Sequence, residues 1–478
     1  MNLTDKISTD VLVNTGVTVA IRFRGLIFIP VITGVLGVAA FGAYAQIIAV
    51  ATVLELFVGL GLFAALVRYG QEEKQDVADL YYSLVVLTMG SGIATAGFVI
   101  LFAPELSKLT LGSTKYADAY RIGSALILTR IFLRMSRDYF RIDSRIKTYS
   151  IIQGANAYGL VAGVVASLFV FDTGLAGVMY AMVAVESTTA ISTQLLIGRE
   201  IGYTTPSFDR TVEYLRYSLP LAASTLAGNV SSRVDRILIG VFLGASAVGV
   251  YSIAYQIATA ILMYELPIRT TFFPEFSRLI EDQRFEECSR YLRQGVRYFV
   301  LIAIPTVGGM YLIGPEVIRL MTGSEAGTPS GVLLAVIALG IAVHGIEDIY
   351  AVVLLANKQT VRLGWVRGIG AIGNLLLNVV LISLFGVFGA AAATLGTYGL
   401  TALLVFYSVG NVLESKFTIL TGVRTIVSTL LMVVLAEAFL ADSIPVLVLS
   451  GALIYFAAIL LSGEISIAEL RRAVDTFA

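Results

Sequence analysis

The chain has 478 residues, of which 57% are apolar and 14% charged, where a soluble globular protein carries roughly 25% charged residues. So much apolar surface has to face something other than water, which excludes a soluble enzyme. Lys+Arg and Asp+Glu balance at 33 each, and the chain has one Cys (Cys288) and one His (His344). That excludes a nucleic-acid-directed field, a disulfide framework and a Cys/His metal cage.

A helix that crosses a membrane needs about 20 mostly apolar residues. Such windows fall at 11–36, 42–66, 79–103, 119–138, 149–170, 175–198 and 215–243. They continue at 247–273, 297–320, 330–354, 364–385, 387–409, 420–440 and 446–462. The expected fold class is an all-α polytopic membrane protein with about 14 transmembrane helices. No connection is long enough for a folded extramembrane domain. The opening segment MNLTDKISTD lacks an Ala-x-Ala cleavage site, so the first span is expected to serve as an uncleaved insertion signal.

With the N-terminus inside, 23 of the 33 Lys and Arg fall on the inner side, and only Lys108, Lys115 and Arg121 fall outside. The positive-inside rule therefore predicts a multi-pass protein of the cell membrane with both termini cytoplasmic.

The chain resembles itself. Leu36, Gly37, Gly42 and Tyr44 recur as Leu243, Gly244, Gly249 and Tyr251, an offset of 207. Gly174 and Gly177 recur as Gly386 and Gly389, an offset of 212. Each motif sits at a hairpin, where glycine supplies backbone freedom. The expected organisation is a six-helix lobe at 1–205, a second at 206–412, and accessory helices 13–14 with a cytoplasmic tail at 413–478. Parallel halves of this kind place a transport site between them near mid-bilayer.

An ionisable residue at the bilayer centre costs at least about 2.5–3.5 kcal/mol on insertion scales, so those that persist mark function or pairing. Arg22 and Arg24 lie about 20 Å below the outer end of the first span by helical rise. Two readings stand: one of them faces the interior, or the span is really 25–41 and both cap its inner end. The seventh span carries Asn229, Ser231, Ser232, Arg233, Asp235 and Arg236. Here the readings are an ion pair that locks the lobes or a residual positive site.

In the fourth span Arg130, Arg134, Arg137, Arg141 and Arg145 follow one another at steps of 4, 3, 4 and 4. That spacing puts five guanidiniums on one helix face. Arg141 and Arg145 fit snorkelling to headgroups. Arg130, about 16 Å in from the outer end, fits that poorly and suits bidentate binding of phosphate. The acidic candidates are Glu55, Glu186, Glu265, Glu347, Asp348 and Glu437. Among these, Glu55, Glu265 and the His344/Glu347 pair are candidates for coupling to Na+ or H+, although a lone His inside a span is commonly just packed. Phe276, Leu279, Ile280 and Phe285 alternate with charges and predict an interfacial amphipathic helix. No Gly-x4-Gly-Lys-Ser/Thr, Gly-x-Ser-x-Gly or His-Glu-x-x-His motif occurs, so no catalytic residue, cofactor or metal is expected.

The Leu-Gly-x4-Gly-x-Tyr hairpins resemble those of the polysaccharide/oligosaccharide flippase family, within the multidrug/oligosaccharidyl-lipid/polysaccharide exporter superfamily. Asp235-Arg236-Ile-Leu-Ile-Gly240 is similar to that family's seventh helix. Asn374, Asn378, Phe385, Gly386, Gly389, Ala390, Ala391 and Thr394 extend the likeness to the eleventh–twelfth hairpin. The resemblance implies two six-helix lobes in a V around a cationic cavity. It also implies flipping of a lipid-linked glycan from the cytoplasmic to the outer leaflet by alternating access. The partners would be that substrate, membrane lipids, and glycosyltransferases or a polymerase of a glycan pathway, with no nucleic acid. Arg22, Arg24, Arg130, Arg134, Arg233, Asp235 and Arg236 form the expected substrate site. The alternative is a cation-coupled multidrug exporter of the same superfamily. A membrane-embedded glycan polymerase is disfavoured, because the longest outer loop, 104–118, holds only Glu105 and Asp118 as acids.

Overall fold

The computed structural model describes residues 17, 21, 23–72, 76–142, 145–323, 328–410, 412–413, 419–439 and 443–465. Side chains at 146, 220–221, 223–232 and 439 are outside that description, as is Arg22 altogether. Regular structure among the described residues is entirely helical.

Packing divides the chain into two compact units, one drawn from Met1–Ser252 with Met321–Gly327, the other from Ile253–Leu320 and Thr328–Ala478. The six-helix lobes at 1–205 and 206–412 are a division by sequence repeat; packing draws its line after Ser252 instead. In the first unit, α1 (Phe23–Leu36) leads into α2 (Val38–Gly59), α3 (Leu62–Glu72), α4 (Val77–Leu101), α5 (Ala103–Leu111) and α6 (Ala117–Gly123). Then follow α7 (Ala125–Ile142), α8 (Ile146–Phe169), α9 (Gly174–Ile201), α10 (Thr211–Leu243) and the start of α11 (Ala245–Ala258). The second unit holds α12 (Leu262–Glu281), α13 (Phe285–Thr322) up to Leu320, α14 (Gly331–Ala356), α15 (Thr360–Phe385), α16 (Val387–Gly410), α17 (Ile419–Phe439) and α18 (Ile444–Leu461).

Among the described residues, eleven helical stretches are long and apolar enough to span a bilayer, one of them running through α11 and α12. The other three expected spans fall on helices of a different character. The described part of α1 is short, α7 carries four arginines and Asp138, and α10 carries Arg233, Asp235 and Arg236 close together. Charge sets α7 and α10 apart from the eleven, whereas the described part of α1 is apolar.

The repeat motifs do mechanical work at the hairpins. Gly37 and Gly244 both take positive φ, at 83° and 81°, and so do Gly174 and Gly386, at 63° and 60°. The second glycines of the 207-offset motif meet each other. A Cβ on Gly42 would lie 1.9 Å from the Ala245 carbonyl oxygen and 2.6 Å from the Gly249 amide nitrogen. A Cβ on Gly249 would lie 2.3 Å from the Val38 carbonyl oxygen. The two related hairpins thus cross backbone against backbone inside the first unit.

Three local expectations change. The second span does not run through 42–66: it breaks at Leu60 and Gly61, both at positive φ. There α10 approaches so closely that a Gly61 Cβ would sit 2.3 Å from the Ser218 carbonyl oxygen. The stretch 104–118, expected as an outer loop, is largely helical, because α5 packs on α10 and its Thr110 carbonyl accepts from Gln46. The amphipathic stretch at 276–285 is no separate interfacial helix. Phe276 and Leu279 are fully buried within the last turns of α12, and the chain reverses at Gln283. Phe276 and Leu279 pack on protein, while Phe285 opens α13 and is 40% exposed.

In the second unit one carboxylate ties α17 and α18 to α13. Glu464, buried just past α18, accepts from Arg297 at 3.0 Å, Arg424 at 3.2 Å and Thr421 at 2.8 Å. Removing one partner of a buried ion pair costs up to about 3–5 kcal/mol, less here because both arginines are partly exposed. Glu464→Ala is expected to speed amide hydrogen exchange in α17 and α18 by about tenfold or more while leaving α2 and α4 unchanged; uniform protection in the variant would show that the tie is dispensable.

Candidate functional site

The line of arginines on α7 does run along one face, and the neighbouring helices meet it with acids. Arg130 reaches α9, where its Nε donates to Glu186 Oε2 at 3.2 Å and its Nη2 to Oε1 at 3.3 Å. Its Nη1 donates to Thr52 on α2 at 3.4 Å, and Thr129 donates to the same buried carboxylate at 3.1 Å. One turn on, Arg134 Nη1 stands 3.6 Å from Glu55 Oε1, with the guanidinium 4.2 Å above the Phe63 ring. Arg137 and Arg141 share the buried Asp138, each at 3.1 Å. Arg145 grips Glu200 with two bonds, 2.6 and 3.0 Å, and Tyr139 donates to that carboxylate as well.

Every arginine in the series therefore has a counter-charge. The reason is the cost of isolating a charge from water, which a pair with good hydrogen-bond geometry reduces. The pairs are not sealed: the Arg130 and Arg134 side chains keep 18% and 23% of their surface exposed.

Arg24 adds to this group from α1. Its guanidinium lies 5.9 Å from the centre of the Phe28 ring, which itself meets Tyr44 edge-on. Tyr44 is within electrostatic reach of Arg24, Arg130 and Glu186 together. The structure thus brings Arg24, Arg130 and Arg134 into one region of the first unit, along with Glu55, which had been read as a coupling acid. On α10, Asp235 is buried and accepts from Tyr251 at 2.8 Å, while Arg233 and Arg236 are half-buried.

The second unit holds a different network. Glu265 and Arg269, one turn apart on α12, approach to 3.3 Å, and Arg269 continues to Asp348 on α14 at 3.4 Å. Arg367 from α15 bonds Asp348 at 2.8 Å and lies 3.8 Å from Glu347. Glu347 is 3.0 Å from His344 and accepts from Thr401 of α16 at 3.1 Å; the His344 ring stacks on Tyr398, centroids 4.5 Å apart. His344, Glu347 and Asp348 have donor atoms close enough together to share a cation. Two guanidiniums and a hydroxyl already take the carboxylates, so the set reads as an ion-pair network. Glu265, His344 and Glu347 are thus drawn together, through Arg269, Asp348 and Arg367.

Sequence reasoning found the arginines and did not assign their partners. Arg367, Asp138 and Glu200 carried no expectation of pairing, because each lies near a helix end, where a charge reads as solvated.

The model of the family described as "Polysaccharide biosynthesis protein" matches residues 7–280, and that of the MatE family matches 220–382. The probable flippase AglR of Haloferax volcanii is 23% identical over 402 residues, covering 81% of this chain and 80% of that protein. In fold, the chain is similar to the lipid II flippase MurJ in its inward closed conformation, with TM-score 0.81 and 16% identity over 95% of this chain and 99% of that one. An inward-facing multidrug resistance MATE family transporter aligns with TM-score 0.69 and 13% identity, over 82% of this chain and 94% of that one. With the first match extending over more than half its length, this multi-pass membrane chain belongs to the polysaccharide biosynthesis protein family.

Proposed function

We propose that the protein is a transporter that flips a polyisoprenyl phosphate- or diphosphate-linked saccharide from the cytoplasmic to the outer leaflet by alternating access, with both termini cytoplasmic. The observation that carries this reading is the set of paired but unsealed guanidiniums in the first unit. Arg24, Arg130, Arg134, Arg137 and Arg141 stand against Glu55, Glu186 and Asp138, an excess of positive charge that a phosphate would meet. The guanidinium fork fits phosphate as well as carboxylate. The resident acids keep the arginines tolerable when no cargo is present. Membership in a polysaccharide biosynthesis family and likeness to proteins named as flippases support the same cargo class.

Glycosyltransferases or a polymerase of a glycan pathway are the partners this reading calls for. Its coupling ion, Na+ or H+, is assigned to the second unit. Glu55 is held by Arg134 and Glu265 by Arg269. Around His344, three acids face two arginines, so one proton on the imidazole balances the network. The multidrug-exporter alternative needs a carboxylate free to meet a cation, and Glu55, Glu186 and Glu265 each already hold an arginine.

The test is transport of a fluorescent polyprenyl-diphosphate saccharide by the purified protein in liposomes. A charged hydrogen bond is worth about 1.5–3 kcal/mol, so Arg134→Ala should slow transport about 10- to 100-fold. Arg134→Lys should recover part of the loss, because it restores charge without the fork. Uptake of cationic dyes with no glycan transport by the wild type would overturn the assignment.

A further inference from the structure

A groove of about 710 Å³ opens between α15 and α16, near Thr360. It changes character along its length. Gln359 and Arg362 line one end with Ser408, and Val366, Ile369 and Leu404 line the rest. From Gln359 to Ile369 is about 15 Å by helical rise. Trp365 on one wall and Tyr407 on the other are 71% and 70% exposed. Among the eleven candidate spans α15 is one of the least buried, so much of its surface is turned toward lipid.

The polar end is chemically incomplete. Arg367, little more than one turn along, is engaged with Asp348. Arg362 is half-buried and has no ion-pair or hydrogen-bond partner among the described residues. A guanidinium without a counter-charge among the described residues, at the head of an apolar channel with Trp and Tyr on its rim, matches the headgroup depth of a bilayer.

We propose that this groove is a binding site for a bilayer lipid with an anionic phosphodiester headgroup. The phosphate pairs with Arg362, and an acyl chain lies along Val366, Ile369 and Leu404. Bilayer lipid is the source because the groove lies on a lipid-facing helix pair with its aromatic walls open. The site is separate from the α7 arginines, and its occupancy does not depend on what the protein transports.

The chain contains one tryptophan, and it is Trp365, so intrinsic indole fluorescence reports on this groove alone. The full-length protein is reconstituted in phosphatidylcholine vesicles with increasing phosphatidylglycerol brominated on its acyl chains. The mirror series uses brominated phosphatidylcholine in phosphatidylglycerol. Brominated phosphatidylglycerol should quench Trp365 at an about fivefold lower mole fraction than brominated phosphatidylcholine, the factor expected for one arginine at an anionic headgroup. Arg362→Gln should bring the two lipids level, and Arg362→Lys should keep part of the preference. Equal quenching by both lipids in the wild type would overturn the proposal, as would a preference that survives Arg362→Gln. An unlabelled polyprenyl phosphate that relieves quenching more effectively per mole than unlabelled phosphatidylglycerol would reassign the groove to the carrier lipid, and so would also overturn it.

Discussion

Arg130→Ala should end glycan transport and weaken the fold together, whereas the double variant Arg130→Met/Glu186→Gln should fold normally and still fail to transport. The reasoning starts from burial. Glu186 is almost fully enclosed, and Arg130 supplies two of its hydrogen bonds while Thr129 supplies one. Deleting the arginine alone leaves an uncompensated acid that is itself almost fully buried, at a cost of up to about 3–5 kcal/mol. Replacing both charges with neutral groups of similar volume is often close to neutral for stability. The two variants thus separate the structural role of the pair from its role with cargo. Melting in detergent should show a large drop for the single variant and a small one for the double. Flipping assays should show no activity in either. Wild-type transport by the double variant would reduce Arg130 to a structural residue.

The second large effect is expected at the crossing of the two related hairpins. Gly42→Ala places a methyl group 1.9 Å from a backbone oxygen, and no rotamer change moves a carbonyl. Overpacking commonly costs about 1–3 kcal/mol, and more when backbone has to shift. Because α2 and α11 meet there with main chain on both sides, the effect should lie at the upper end, seen as a sharp fall in the yield of monodisperse protein and a lowered melting temperature. Gly249→Ala should behave alike, since its Cβ would meet the Val38 carbonyl oxygen at 2.3 Å. Gly34→Ala is the control, because nothing lies within 4 Å of a Cβ at that position. Equal stability for Gly42→Ala and Gly34→Ala would mean the hairpins are not held by this contact.

How far the sequence could be read depends on the kind of signal each residue carries. The hairpin glycines were legible because a conformational demand is local: Gly37, Gly244, Gly174 and Gly386 take positive φ where the repeat placed them. The arginine face of α7 was legible because 4, 3, 4 spacing fixes a side of a helix. Its partners were not, since pairing joins residues far apart in the chain. Depth would have given a hint. Glu186 is 12 residues from the Gly174 turn, about 18 Å by helical rise, close to the depth deduced for Arg130. The break at Leu60–Gly61 was hidden for a different reason: Gly59 and Gly61 flank Leu60, but glycine is common inside membrane helices, so it does not stand out in an apolar run. At 276–285 the alternation with charges looked like a surface helix, although Phe276 and Leu279 are buried under protein.

The tie at Glu464 has a consequence for how the protein is made. Arg297 and Glu464 are 167 residues apart in the chain, and synthesis proceeds from the N-terminus. The guanidinium of α13 is therefore synthesised long before its counter-charge has left the ribosome. Until then water, headgroups or the insertion machinery must neutralise it. Docking of α17 and α18 becomes a late step of biogenesis, available only to a chain translated at least that far.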